Sequence, residues 1–84
     1  MSDTIAERVK KVTSQLLKVD AAKVKESARF VEDLGAASIQ SIELVAAFEE
    51  EFNIEMDQDE ALSVKSVGDA VAFISKCVAE QHGK

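Results

Sequence analysis

The chain has 84 residues, a formal net charge of −6, 46% hydrophobic side chains and only four aromatic ones, all phenylalanine. That length makes one small domain with no room for a catalytic cleft between two lobes, and the acidity argues against a nucleic-acid or anionic-membrane surface. The absence of proline, three glycines, a lone cysteine and no apolar run near the roughly 20 residues of a membrane span argue against a turn-rich β fold, an internal disulfide, a signal-like leader and a spanning helix.

A single thiol leads to the expectation of a reducing, cytoplasmic setting. The charge is unevenly spread. Residues 1–29 hold seven basic and four acidic side chains, residues 30–64 hold ten acidic and none basic, and residues 65–84 hold three basic and two acidic. A stretch of net −10 predicts partners that present basic patches.

Residues 3–18 read as an amphipathic helix, with Ile5, Val9, Val12 and Leu16 in one stripe at helical period. Thr4 and Glu7 have the spacing of a capping box, with Asp3 as an alternative cap, and Lys18 falls in the last turn, where the helix dipole favours a cation. Residues 19–37 form a long connection expected to pack through Val24, Phe30, Val31 and Leu34, with one short helical turn.

Residues 38–53 read as the second helix. Ile42, Leu44, Val45, Phe48 and Phe52 span its core-facing arc. A second stripe, Ile39, Glu43, Ala46 and Glu50, alternates apolar and acidic side chains. It makes a poor core face, because two glutamates would be buried unpaired, and it suits docking of a basic, partly apolar partner.

Residues 54–66 connect onward through Ile54, Met56, Leu62 and Val64, with a short helix at 57–62 capped by Asp57. Asp57-Gln58-Asp59-Glu60 is no calcium loop, since the sixth and twelfth positions hold Leu62 and Gly68 rather than glycine and glutamate. Residues 67–81 read as the last helix, with Ser66 and Asp69 at its start and Val67, Ala70, Val71, Ile74, Cys77 and Val78 on one side. Cys77 reads as a small buried apolar residue. His82, placed in a frayed tail, has no second histidine or partnered carboxylate nearby in sequence to support catalysis or metal binding.

The stretch Asp33-Leu34-Gly35-Ala36-Ala37-Ser38 holds the candidate site. Gly35 is where the backbone turns cheaply, since glycine tolerates positive φ. Ser38 stands where loop becomes helix, so it is either a simple N-cap or a hydroxyl presented among unpaired N–H groups that favour a phosphate. No nucleophile–base pair or metal set accompanies it, so the chain does not read as an enzyme.

At Asp33-Leu34-Gly35-Ala36, Ser38-Ile39 and Ile42-Glu43-Leu44 the chain resembles an acyl carrier protein. The resemblance continues through Ile5–Lys11, Phe30–Gly35 and Phe48–Phe52, and so covers essentially the whole chain. It implies an all-α, four-helix bundle of the acyl-carrier type, with three long helices, one short helix and a long first loop. It also implies that Ser38 holds 4′-phosphopantetheine through a phosphodiester. A phosphopantetheinyl transferase would move that group from coenzyme A, with the serine hydroxyl attacking phosphorus.

By the same carry-over, acyl groups ride as thioesters on the arm's thiol in fatty-acid, polyketide or lipid biosynthesis, and the core opens between helices to shelter an acyl chain. Ile39, Glu43, Ala46, Glu49 and Glu50 correspond to the surface read by acyl-carrier synthase and by other synthases and transferases, and a monomer is expected. The sequence departs from the family pattern in three places. Ala37 stands where an aspartate usually precedes the serine, Gln40 replaces an acid two residues after it, and Asp57 replaces a proline. These departures suggest a specialised carrier. An aminoacyl or peptidyl carrier and an unmodified acidic interaction module are the alternatives.

Overall fold

In the computed structural model, which describes residues 4–82, four helices follow one another. They are α1 (Ile5–Leu17), α2 (Ser38–Phe52), α3 (Gln58–Leu62) and α4 (Val67–His82), with a single 3₁₀ turn at Ala21–Lys23. Among the described residues there is no strand, only an isolated antiparallel bridge between Arg29 and Ser66.

Local chemistry starts and stops each helix. Thr4 Oγ1 accepts from the Glu7 N–H at 3.1 Å while Glu7 Oε1 accepts from the Thr4 N–H at 3.3 Å, a complete capping box; Asp3, the alternative cap, lies outside the described residues. α1 ends one residue before the predicted limit, because Lys18 adopts a left-handed conformation (φ 58°) and its N–H bonds the Ser14 carbonyl. Asn53 closes α2 in the same way, at φ 55°. Asp57 caps α3 by accepting from the Asp59 N–H at 2.9 Å, and Ser66 Oγ accepts from the Asp69 N–H at 3.2 Å at the start of α4.

The core joins one face of each long helix to the first connection. Val9 of α1, Leu44, Phe48 and Phe52 of α2, and Val67, Ala70, Ile74 and Cys77 of α4 are buried, along with Val24, Phe30, Leu34 and Ile54 from the connections. The fully buried Thr13 joins them, although it is not part of the apolar stripe of α1. Arg8 ties α1 to the end of α2. Its Nε lies 2.9 Å from Glu51 Oε2, its Nη2 donates to the Glu51 carbonyl at 2.7 Å, and its guanidinium sits 4.5 Å from the Phe52 ring centroid.

Three residues expected in the core are outside it. Val31 is 58% exposed. Residues 29–35 wind as a helix-like turn, with the Asp33 and Leu34 N–H groups on the Arg29 carbonyl and the Gly35 N–H on that of Val31. Phe30 and Leu34, four apart, therefore point inward, while Val31 lies on the outer side. Ile42 is 46% exposed, because it sits about 120° around α2 from Phe48 at 100° per residue. Leu62 is 39% exposed; α3 is barely more than one turn, and it buries only Ala61.

The last helix also runs further than predicted. His82 belongs to α4, and its Nε2 meets the Asn53 carbonyl oxygen. The first connection is stitched to the entry of α4: the Phe30 N–H donates to the Lys65 carbonyl, Val67 N–H to Ala28 and Gly68 N–H to Glu26. Gly68 suits this approach, since a Cβ there would lie 3.0 Å from the Glu26 carbonyl oxygen, a tight contact.

Candidate functional site

The turn before α2 aims the site. Asp33 Oδ2 accepts from the Arg29 N–H at 2.8 Å, with Arg29 Nε at 3.4 Å. The backbone bond from Arg29, aided by its guanidinium, holds the Asp33 carboxyl below the usual carboxylate range. Gly35 then takes φ +74°, with nothing within 4 Å of where a Cβ would stand. Glycine is therefore favoured here by backbone conformation and not by space. The Ala36 N–H returns to the Phe30 carbonyl at 2.8 Å and buries Ala36, which leaves Ala37 and Ser38 exposed at the mouth of α2.

Ser38 is the first residue of α2 and not its cap. The cap is Ala37, extended at φ −78° and ψ 166°, which brings no side-chain acceptor to the first turn. Half of a capping box survives, because Gln40 Oε1 accepts from the Ala37 N–H at 2.9 Å. The first intrahelical bond is the Ser41 N–H to the Ala37 carbonyl, so the N–H groups of Ser38, Ile39 and Gln40 point out of the helix end. The other three helices each receive a side-chain acceptor at their N-terminus, from Thr4, Asp57 and Ser66. In α2 the one such acceptor, Gln40 Oε1, takes the Ala37 N–H and none of the first-turn N–H groups, so its dipole is open to an external anion beside an exposed hydroxyl.

The surface beside Ser38 mixes apolar and acidic groups. Ile39 is 67% exposed, and Glu43, Ala46 and Glu50 follow it up the same exposed face of α2. Ile42, placed in the core by periodicity, instead borders this face. Glu49 differs from the rest: it is half-buried, and its Oε2 accepts from the Met56 N–H at 2.8 Å, so it faces the α2–α3 connection.

Behind that surface a cavity of about 470 Å³ opens between the 29–32 turn, α2, α3 and α4. Leu44, Val45, Phe48, Met56, Leu62 and Phe73 supply its apolar wall, and Ser41, Arg29, Glu32 and Lys65 its polar rim. The helical angle of Ser41, on the core side of α2, is the sequence signal that points to its place here; Lys65 offers none. Away from this region, burial pushes the Cys77 thiol up, assisted by the Glu80 and Glu60 carboxylates, so the thiol stays protonated. Among the described residues no group of three or more His, Cys, Asp or Glu side chains is placed to hold a metal. Among them, too, no helix is long and apolar enough to cross a membrane.

Residues 7–74 match the family model described as "Phosphopantetheine attachment site". The chain is 58% identical over 79 residues to the acyl carrier protein of Sinorhizobium fredii (strain NBRC 101917 / NGR234), covering 94% of this chain and 100% of that one. The same figures hold for the acyl carrier protein AcpP of Rhizobium meliloti (strain 1021). Among solved structures, a candidate acyl carrier protein from Mycobacterium tuberculosis superposes with a TM-score of 0.81 at 25% identity, covering 87% of this chain and 97% of that one.

The helical fold, the 4′-phosphopantetheine prosthetic group and a carrier role in acyl biosynthesis follow from these matches. Members of the family are carriers and not catalysts, and they work with synthase and transferase enzymes. An open, hydroxyl-bearing helix end, an acidic-apolar face and an apolar cavity thus meet in a chain that belongs to the acyl carrier protein family.

Proposed function

We propose that Ser38 is the residue that carries the prosthetic group, joined through Oγ to 4′-phosphopantetheine as a phosphodiester. The observation that carries this assignment is an exposed serine hydroxyl on the one helix N-terminus whose first-turn N–H groups, among the described residues, receive no side-chain acceptor. The residues fit the group. The phosphodiester keeps one negative charge, and the N–H groups of Ser38, Ile39 and Gln40 are free to face it. Ala37 sets no carboxylate against that charge, and Gln40 presents a neutral amide where the family has an acid. Ser38 needs exposure and no internal base, because activating the hydroxyl falls to the transferase.

When bound, the arm's terminal thiol holds acyl groups as thioesters. The chain's own contribution is presentation and shelter. Ile39, Glu43, Ala46 and Glu50 form the face that basic patches on the transferase and on acyl-carrier synthases read. Glu49 serves chiefly to hold the Met56 backbone. The cavity behind Ser41 and Val45 receives the acyl chain. In this reading the chain is a cytoplasmic monomer with no catalytic activity of its own, serving fatty-acid, polyketide or lipid biosynthesis.

The test is loading by a phosphopantetheinyl transferase with coenzyme A, followed by intact mass measurement and peptide mapping. The native chain gains one adduct on the peptide that contains Ser38. Ser38→Ala gains none, while its circular dichroism and melting temperature stay unchanged. An adduct that persists on Ser38→Ala overturns the assignment.

A further inference from the structure

The last turn of α4 reaches back across the molecule to the connection between α2 and α3. The side-chain amide of Gln81 forms a two-point bond with one residue of that connection. Its Oε1 accepts from the Glu55 N–H at 2.8 Å, and its Nε2 donates to the Glu55 carbonyl at 2.7 Å. A glutamine thereby pairs with backbone as a neighbouring strand would. On one side the His82 ring meets the Asn53 carbonyl, and on the other Glu49 Oε2 takes the Met56 N–H.

The Asn53 and Ile54 N–H groups close the end of α2 on the Glu49 carbonyl, whereas Glu55 and Met56 beyond them are held by side chains from α4 and α2. This connection matters because of what it carries. Met56 is part of the cavity wall, and Asp57, the next residue, caps α3, which supplies Ala61 and Leu62 to the same wall. α3 itself is too short to hold its position by helix propensity.

From these contacts we infer that Gln81 is a positioning residue for cargo shelter. By clasping Glu55 it fixes Met56 and α3 as one wall of the cavity, and so sets how well a chain attached through Ser38 is shielded from water. This rests on the carrier reading above. Gln81 is solvent-exposed and outside the core, so replacing it removes the clasp without opening a core cavity.

The experiment uses the full chain, native and Gln81→Ala, in two forms. In the apo form, amide hydrogen exchange at Glu55 rises about two- to tenfold in Gln81→Ala, the range for one lost hydrogen bond, and the Met56 methyl resonance shifts. In the form loaded with an octanoyl thioester, cleavage by hydroxylamine accelerates severalfold in Gln81→Ala, while the rate of loading by the transferase is unchanged. Gln81→Glu, which keeps the acceptor and loses the donor, falls between the two. Native values for Glu55 exchange and the Met56 methyl overturn the clasp, whatever happens at Ser38. Faster exchange with unchanged thioester cleavage also overturns the inference, by confining the clasp to the loop. If neither chain accepts the arm, it is the carrier reading that fails, and the apo measurements alone decide whether Gln81 positions Met56.

Discussion

Ala37 should limit the stability of the apo chain, and replacing it should reveal by how much. Its backbone already has the extended geometry of an N-cap, φ −78° and ψ 166°, and the reciprocal bond from Gln40 is in place. Only the acceptor for the first-turn N–H groups is missing. Ala37→Asp and Ala37→Asn each supply it without moving the backbone, and the capping bond contributes typically about 1 kcal/mol. The aspartate variant adds an interaction with the helix dipole of about 0.3–1 kcal/mol at low ionic strength, reduced by the net −10 of residues 30–64.

For a domain of this size about 1 kcal/mol corresponds to roughly 4–8 °C in melting temperature. Thermal unfolding followed by circular dichroism at neutral pH should therefore show both variants melting higher than the native chain. In Ala37→Asp the capping bond depresses the pKa of the introduced carboxyl in the folded state. Its stabilisation is then full above the unfolded carboxylate value of about 4 and disappears as pH falls through the lower folded value. The Ala37→Asn gain persists in acid. Equal or lower melting temperatures for both variants would refute the claim that the N-terminus of α2 is left without a cap.

Gly35→Ala should lower stability by about 1–2 kcal/mol in urea titration, the cost of a left-handed backbone for a residue with Cβ. Since no atom lies within 4 Å of the added carbon, Gly35→Asn should recover part of that loss; an unchanged midpoint for the alanine variant would contradict the positive φ. Asp33 is held below its normal pKa by Arg29, so its contribution is present above the unfolded carboxylate value and lost as pH falls through the folded one. Asp33→Asn should accordingly flatten the acid limb of a stability–pH curve, and an unaltered limb would remove the Arg29 contacts as its cause. Reversing charge at Glu43 and Glu50 together should weaken binding to the transferase in calorimetry, more at low salt than at high salt. Equal affinities at both ionic strengths would return that face to mere solvated surface.

Much of this chain was legible because its signals are local. The Thr4–Glu7 box, the Asp57 and Ser66 caps and the turn at Gly35 each act within about four residues, so spacing alone locates them. The stripe that buries Val9 and the arc that buries Leu44, Phe48 and Phe52 come from the same helical period. Ser38 was legible as a serine at the loop–helix junction, yet whether it or Ala37 would cap the helix depends on one residue's backbone angles, which helix-start signals locate only to within a residue or two.

Tertiary structure decided what depends on the placement of one element against another. Val31, Ile42 and Leu62 look like anchors by composition and are exposed, because each sits on the far side of a turn or helix whose inner side is already filled by Phe30, Phe48 or Ala61. Glu49 reads as surface acid and becomes a brace for Met56 only once the connection folds back beside α2. Gln81, near the end of the sequence and part of no sequence pattern, meets Glu55 across a separation of 26 residues. Periodicity records which face of a helix is apolar, but a hydrogen bond between distant segments leaves no periodic trace, and only the packed fold brings its donor and acceptor together.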